Sequence, residues 1–288
     1  MGGEWPLVAF TITGQLAVGA YLFLGVPIYF GLADAAGWKG GGGRPGFLLA
    51  VLGLLAVATV LSLFHLHHPV KAYRTLVNLG WSWLSREILS LLFFEAAAGA
   101  LAFCEWRGIG GPGLGKALFI VGGLAGLLLL LSMSRLYMMP SVPTWNRLYT
   151  PLSFFLTSAV LGACAAVLLL GLPREGPSAA RPFLTLALCG LAASFLNAAL
   201  LVPVHGVFGA KPRPSLRPPG VGSSLLHGIR LFLLVAGGVI LAAILAAGEG
   251  RGPMAEHAPA MLAAVFVLAA AGEVSGRFLF YGLSGRRS

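Results

Sequence analysis

The sequence predicts an all-α polytopic membrane protein, a bundle of eight transmembrane helices, and three observations carry that prediction. Only 10% of the 288 residues are charged against 58% hydrophobic, with a mean hydropathy of +0.89. Soluble domains carry roughly 25% charged residues. Eight continuous apolar runs each reach the ~20 residues that a helix needs to cross the hydrocarbon. The stretches between them are short and hold the helix breakers, and none of the runs alternates as a barrel strand would.

Taken in order, the runs lie at roughly 5–32, 46–66, 84–104, 116–138, 151–171, 182–203, 224–246 and 257–282. The first follows an N-terminus, MGGEWPLVAF, with no basic n-region or small-residue cleavage site, so it reads as a span and not a signal peptide. The breakers that separate the runs are Gly40–Gly43, Pro69, Gly110–Gly113, Pro140 with Pro143, Pro173 with Pro177, and KPRPSLRPPG at 211–220. Nothing outside the runs is long enough to build a second core, so residues 1–288 read as one membrane domain. Gly99, Gly122, Gly123, Gly126, Gly162, Gly237 and Gly238 fall inside runs, where small residues let helices approach closely. No internal repeat is apparent.

The formal net charge of +10 does not point to nucleic acid, because the basic residues are scattered and form no groove-reading element. Lys and Arg collect in loops beside anionic headgroups. Cys104, Cys164 and Cys189 stand far apart without a C-x-x-C, so the protein is expected to hold no iron–sulfur cluster and no structural metal of its own.

An even number of spans puts both termini on one side, the near side. Placed by depth, the ionisable residues crowd towards it. His65 closes the second run, Arg86 and Glu87 open the third, and Arg135 with Tyr137 ends the fourth. His227 and Arg230 lie early in the seventh, while Glu273, Arg277 and Tyr281 line one face near the end of the eighth. Glu95 falls near mid-membrane, about 80° round the helix from Glu87, where it is a relay candidate. Each ionisable group at membrane depth is a candidate functional group, because isolated charge there is costly.

A polar pocket open to one leaflet suits an amphiphile with a polar head and a tail that stays in lipid. Quinone fits: its two oxygens need hydrogen-bond partners, and its redox chemistry moves two protons. His65 and Glu87 are suited to carry them. Arg86, Arg135, Tyr137, Glu273, Arg277 and Tyr281 are candidates for the pocket wall. The plainer reading of Glu273 and Arg277 is an i, i+4 ion pair that satisfies itself within one helix. Glu87 has Arg86 and Arg135 as plain partners, and Trp81, Trp83, Trp106 and Trp145 match interfacial anchors.

Four stretches give the sequence a family likeness: EWPLVAFTITGQ at 4–15, FHLHHPVKAYRTLVNLGWSWLSREI from Phe64, SRLYMMPSVPTWNRLYTPLSFFLT at 134–157, and AGEVSGRFLFYGL at 271–283. In these, and over nearly its whole length, the sequence resembles the membrane-anchor subunits of dimethyl sulfoxide reductase and its relatives. The resemblance implies a three-subunit oxidoreductase in the cytoplasmic membrane of a bacterium or archaeon. In it a catalytic subunit carries molybdopterin, a ferredoxin-like subunit carries four [4Fe–4S] clusters, and the anchor exchanges electrons with menaquinol or quinone. It also implies an anchor without haem, and assigns His65 and Glu87 to quinol binding and oxidation.

Related complexes run in both directions. The SWLSREI wording is closer to anchors of sulfite-oxidising complexes, which reduce quinone. A haem b anchor is the nearest rival, but its stacked haems need paired His at two depths, whereas His65, His67, His68, His205 and His227 all lie near one side. A transporter is the rival of another class and predicts midplane polar groups and repeated halves. Only Gln15 and Glu95 approach the midplane. Loop Lys and Arg number eight on the near side and seven on the far side, a slight lean towards a cytoplasmic near side. The near-side connections at 66–84, 139–150 and 204–223 are the expected docking surface for the iron–sulfur partner.

Overall fold

The computed structural model describes residues 5–31, 43–64, 80, 82–142, 145–170, 181–206, 221–247 and 253–282. All the secondary structure among them is helical: α1 (Trp5–Tyr29), α2 (Gly43–Phe64), α3 (Trp83–Arg107), α4 (Gly111–Tyr137), α5 (Tyr149–Leu170), α6 (Arg181–Gly206), α7 (Val221–Ala247) and α8 (Pro253–Gly282). Seven are long and apolar enough to cross a membrane, and α6 contributes a shorter apolar stretch, Leu184–Ala199. Large apolar side chains such as Phe93, Leu124, Phe232 and Val267 point outward and are more than half exposed. In water that would be an aggregation surface; in hydrocarbon it is solvated.

The helix ends depart from the sequence expectation in one informative place. The turn between α3 and α4 is tighter than the apolar runs suggested, because local chemistry fixes it. Gly108 adopts φ +64 and turns its N–H back onto the carbonyls of Cys104 and Glu105, while Pro112 starts α4 where a missing N–H costs nothing. Glu105, Arg107 and Lys116 therefore belong to helix ends on the far side instead of to a loop.

Packing divides the protein into two closed rings of four. In the first, α1 packs on α2, α2 on α3, α3 on α4 and α4 back on α1; α5 to α8 repeat the same circuit. The rings meet through α1 against α5, flanked by α4 against α5 and α8 against α1. Exchanging α1–α4 with α5–α8 maps this pattern onto itself, as a two-fold axis along the membrane normal would.

The seam is a glycine contact. A side chain on Gly19 would strike the Ser158 carbonyl and Gly162, and one on Gly162 would strike the Gly19 backbone. Beside it the Ser158 hydroxyl donates to the Gln15 carbonyl at 2.8 Å, across 143 residues of sequence, close to half the full length. The sequence shows no repeat, yet the two halves are built alike.

Candidate functional site

The near ends of the helices converge on one buried polar group of side chains. Ser82 caps α3 by accepting from the Ser85 N–H, and Glu87 follows on the inward stripe with Ser90, Leu91, Phe94 and Leu101. The Glu87 side chain is buried, and its Oε2 has no hydrogen-bond partner among the described residues. Facing it are the phenols of Tyr137, at the end of α4, and Tyr281, near the end of α8. Their rings lie 5.3 Å apart, and both hydroxyls sit within electrostatic range of Glu87 and of Arg277. Thr11 of α1 approaches the Tyr281 hydroxyl. The two tyrosines end equivalent helices of the two rings, so this group sits where the halves meet.

The α5–α8 half supplies a second set of charges. Glu273 accepts from Thr157 of α5 at 2.7 Å and from Ser194 of α6 at 2.5 Å, and pairs with Arg230 of α7 at 3.5 Å. Gly276 makes this possible, since a β-carbon there would lie 2.6 Å from the Arg230 guanidinium carbon. Tyr149 at the start of α5 lies within reach of Arg230, Glu273 and Arg277. The expected i, i+4 pair of Glu273 with Arg277 is therefore not what forms. Spacing along one helix cannot see Arg230 arriving from the neighbouring one, and a carboxylate already holding two hydroxyls and a guanidinium has little left for Arg277. The Arg277 guanidinium instead lies 3.6 Å over the Phe154 ring.

Above this group sits an aromatic cover. The Trp145 indole stacks on Phe280 at 5.2 Å and 12°, donates its N–H to the Phe280 carbonyl at 2.9 Å, and meets Tyr137 edge-on at 5.6 Å. Trp145 thus pins the α4–α5 connection to the end of α8 instead of serving only as an interfacial anchor.

The structure brings together Glu87, Tyr137, Glu273, Arg277 and Tyr281 from among the sequence candidates. It leaves out three others. Arg86 reaches the Gly80 carbonyl at 2.7 Å and lies 4.3 Å over the Trp83 ring. Arg135 is exposed, because its position on α4 faces away from the inward stripe that holds Met133 and Tyr137. Glu95 accepts from Thr59 of α2, apart from the group. His65, His67 and His68 lie outside the described residues.

Thr11, Tyr149, Thr157 and Ser194 were not singled out by sequence reasoning. The available signal was that the first three fall in stretches carrying the family likeness. A separate cleft of about 230 Å³ opens at the opposite, far end, between Tyr29, Cys104, Glu105, Gly115 and Lys116. It contains none of the candidates. Among the described residues no three metal-ligating side chains cluster.

Comparison with known proteins places the sequence in a family. The family model for the DMSO reductase anchor subunit (DmsC) matches residues 1–283. The sequence is 30% identical over 285 residues to YnfH of the anaerobic dimethyl sulfoxide reductase of Escherichia coli strain K12, covering 97% of this protein and 94% of that one. It is 28% identical over 288 residues to the C subunit of the anaerobic dimethyl sulfoxide reductase of the same strain, with the same coverage of each. The corresponding C subunit from Haemophilus influenzae is 33% identical over 172 residues, 60% of either protein. Eight helices among the described residues, seven of them long apolar spans, and a match over nearly the full length agree: this is a multi-pass membrane protein that belongs to the DMSO reductase anchor subunit family.

Proposed function

We propose that this protein is the quinol-binding anchor of a molybdopterin oxidoreductase, passing electrons between menaquinol or quinone and the [4Fe–4S] clusters of a ferredoxin-like partner. The observation that carries this reading is Glu87, a buried carboxyl at membrane depth with one oxygen open and two phenols before it. A quinol that gives up two electrons must also lose two protons, and a buried carboxylate facing hydrogen-bonding hydroxyls is a fit acceptor for one of them. The position agrees with the partner's task. Electrons must leave on the side where the clusters dock, and Glu87 lies on the second turn of α3 at its near end, close to the near-side connections. A lipid-soluble carrier reaches that depth without leaving the membrane.

Supporting it further, the site lies between two like halves, a place where membrane proteins with parallel repeats bind their substrates. The transporter rival has its repeated halves after all, but Glu95, one of its two midplane groups, is held by Thr59 of α2, apart from the charged set. His65 joins the proposal through the family likeness. The molybdopterin and the clusters belong to the partner subunits, and the complex belongs in a bacterial or archaeal cytoplasmic membrane.

The test uses the assembled complex and two electron donors. Glu87→Gln and His65→Ala are expected to keep turnover driven by a soluble artificial donor that reduces the partner subunits directly. Turnover driven by a lipophilic quinol should fall about 100-fold in Glu87→Gln, the range for loss of an acid–base group. Normal quinol-driven turnover in both variants would remove these residues from the site. Identifying the co-purifying subunits and the substrate they consume fixes the direction of electron flow.

A further inference from the structure

We infer that Arg277 binds one oxygen of the quinone head, at the opposite edge of the ring from the oxygen that meets Glu87. The inference rests on the proposed quinol site and assigns the second of its two polar contacts.

Arg277 is 2% exposed, and neither its Nε nor its two terminal nitrogens has a hydrogen-bond partner among the described residues. Its guanidinium carbon lies 3.6 Å over the Phe154 ring and 5.8 Å from Phe280. A ring face attracts the positive charge but leaves the in-plane N–H fork unused. A guanidinium presents five donors in that plane, and burying them unmet at membrane depth is costly. Glu273, its nearest acid in sequence, lies within electrostatic range but accepts no hydrogen bond from it, its oxygens being turned to Arg230, Thr157 and Ser194.

The surroundings select the acceptor. Tyr137, Phe154, Phe280 and Tyr281 form an aromatic wall around the guanidinium, which suits a flat ring. Glu87, across the same two phenols, disfavours a ligand carrying a full negative charge. What remains is a neutral planar ring with an oxygen at each end, which is the quinone headgroup. Arg277 takes no proton in this role. It donates hydrogen bonds to the oxygen, orients the ring and leaves the other oxygen at Glu87.

The experiment is a cycle between side chain and ligand atom in the assembled complex. Two inhibitors of quinol-driven turnover are compared: a 1,4-naphthoquinone, and its analogue lacking one oxygen. Native protein should prefer the two-oxygen ring by about tenfold or more, the scale of one hydrogen bond to a charged donor. Arg277→Met should erase most of that preference, and Arg277→Lys should restore part of it, since an ammonium donates without the planar fork. If Arg277→Met does not assemble, the Arg277→Lys ratio against native carries the test. A preference unchanged in both variants, or equal weakening of both inhibitors, overturns the inference. Glu87→Gln in the same preparations separates the two levels: normal quinol turnover there sinks the site itself, whereas impaired turnover with an unchanged Arg277 preference sinks only this assignment.

Discussion

At the scale of single residues, the structure sorts ionisable groups by what each one faces. Glu273 is fully engaged, holding a guanidinium and two hydroxyls, and it reads as architecture. Removing one partner of a buried pair strands the other, which costs about 3–5 kcal/mol. Glu273→Ala is therefore expected to lower the thermal midpoint of the detergent-solubilised protein sharply. Glu273→Gln, which can accept from one of the Thr157 and Ser194 hydroxyls and donate to the other, should cost clearly less, and a scan of the two variants checks the order. Glu87 behaves oppositely: it has an open oxygen, so Glu87→Gln should leave that midpoint nearly unchanged while quinol turnover falls. The sequence identified both acids as candidates through depth alone. For Glu273 it pointed to the wrong partner, Arg277 and not Arg230, because periodicity shows a helix its own neighbours and not those of the helix beside it. Arg135, two residues before Tyr137, faces outward, as its place on its own helix dictates.

At the scale of elements, spans were legible and their mutual arrangement was not. Apolar length located all eight helices, since a membrane imposes one length on each. Boundaries moved where turn chemistry ruled, as at Gly108 and Pro112. The role of the α4–α5 connection was invisible, because a tryptophan beside a span end looks like an interfacial anchor whatever it touches. Trp145→Phe keeps the stacking on Phe280 and removes one hydrogen bond, worth about 1 kcal/mol. Trp145→Ala removes both and should destabilise more, with a matching loss of near-ultraviolet circular dichroism from the aromatic cover. The glycine seam gives a sharper contrast. Gly162→Leu should prevent accumulation of folded protein, because the atoms nearest its added carbon are Gly19 backbone, which cannot swing aside. Gly53→Leu on α2, with nothing within 4 Å of its added carbon, should accumulate as native. Membrane-fraction yields of the two variants decide the point.

At the scale of the whole molecule, the protein is two similar four-helix rings joined along α1 and α5. Comparing one half of the sequence with the other does not reveal this, since lipid-facing and packing positions accept many apolar residues. Cutting the protein in the α4–α5 connection and producing both parts together should give a pair that co-purifies through a tag on either. Neither part alone should survive extraction, because its α1 or α5 seam would face lipid with its close backbone contact unmade. The polar groups gather near one end of this seam, and the family likeness rests on stretches from both rings that meet there.

Gly19 and Gly162 each occupy the space the other leaves, so the halves are geared together like two wheels sharing a single tooth. A methyl added on one wheel must be absorbed by movement of its counterpart. However freely the outer surfaces of the halves drift in composition, the distance between their axes stays set at this point, and with it the separation of the acid on one half from the guanidinium on the other.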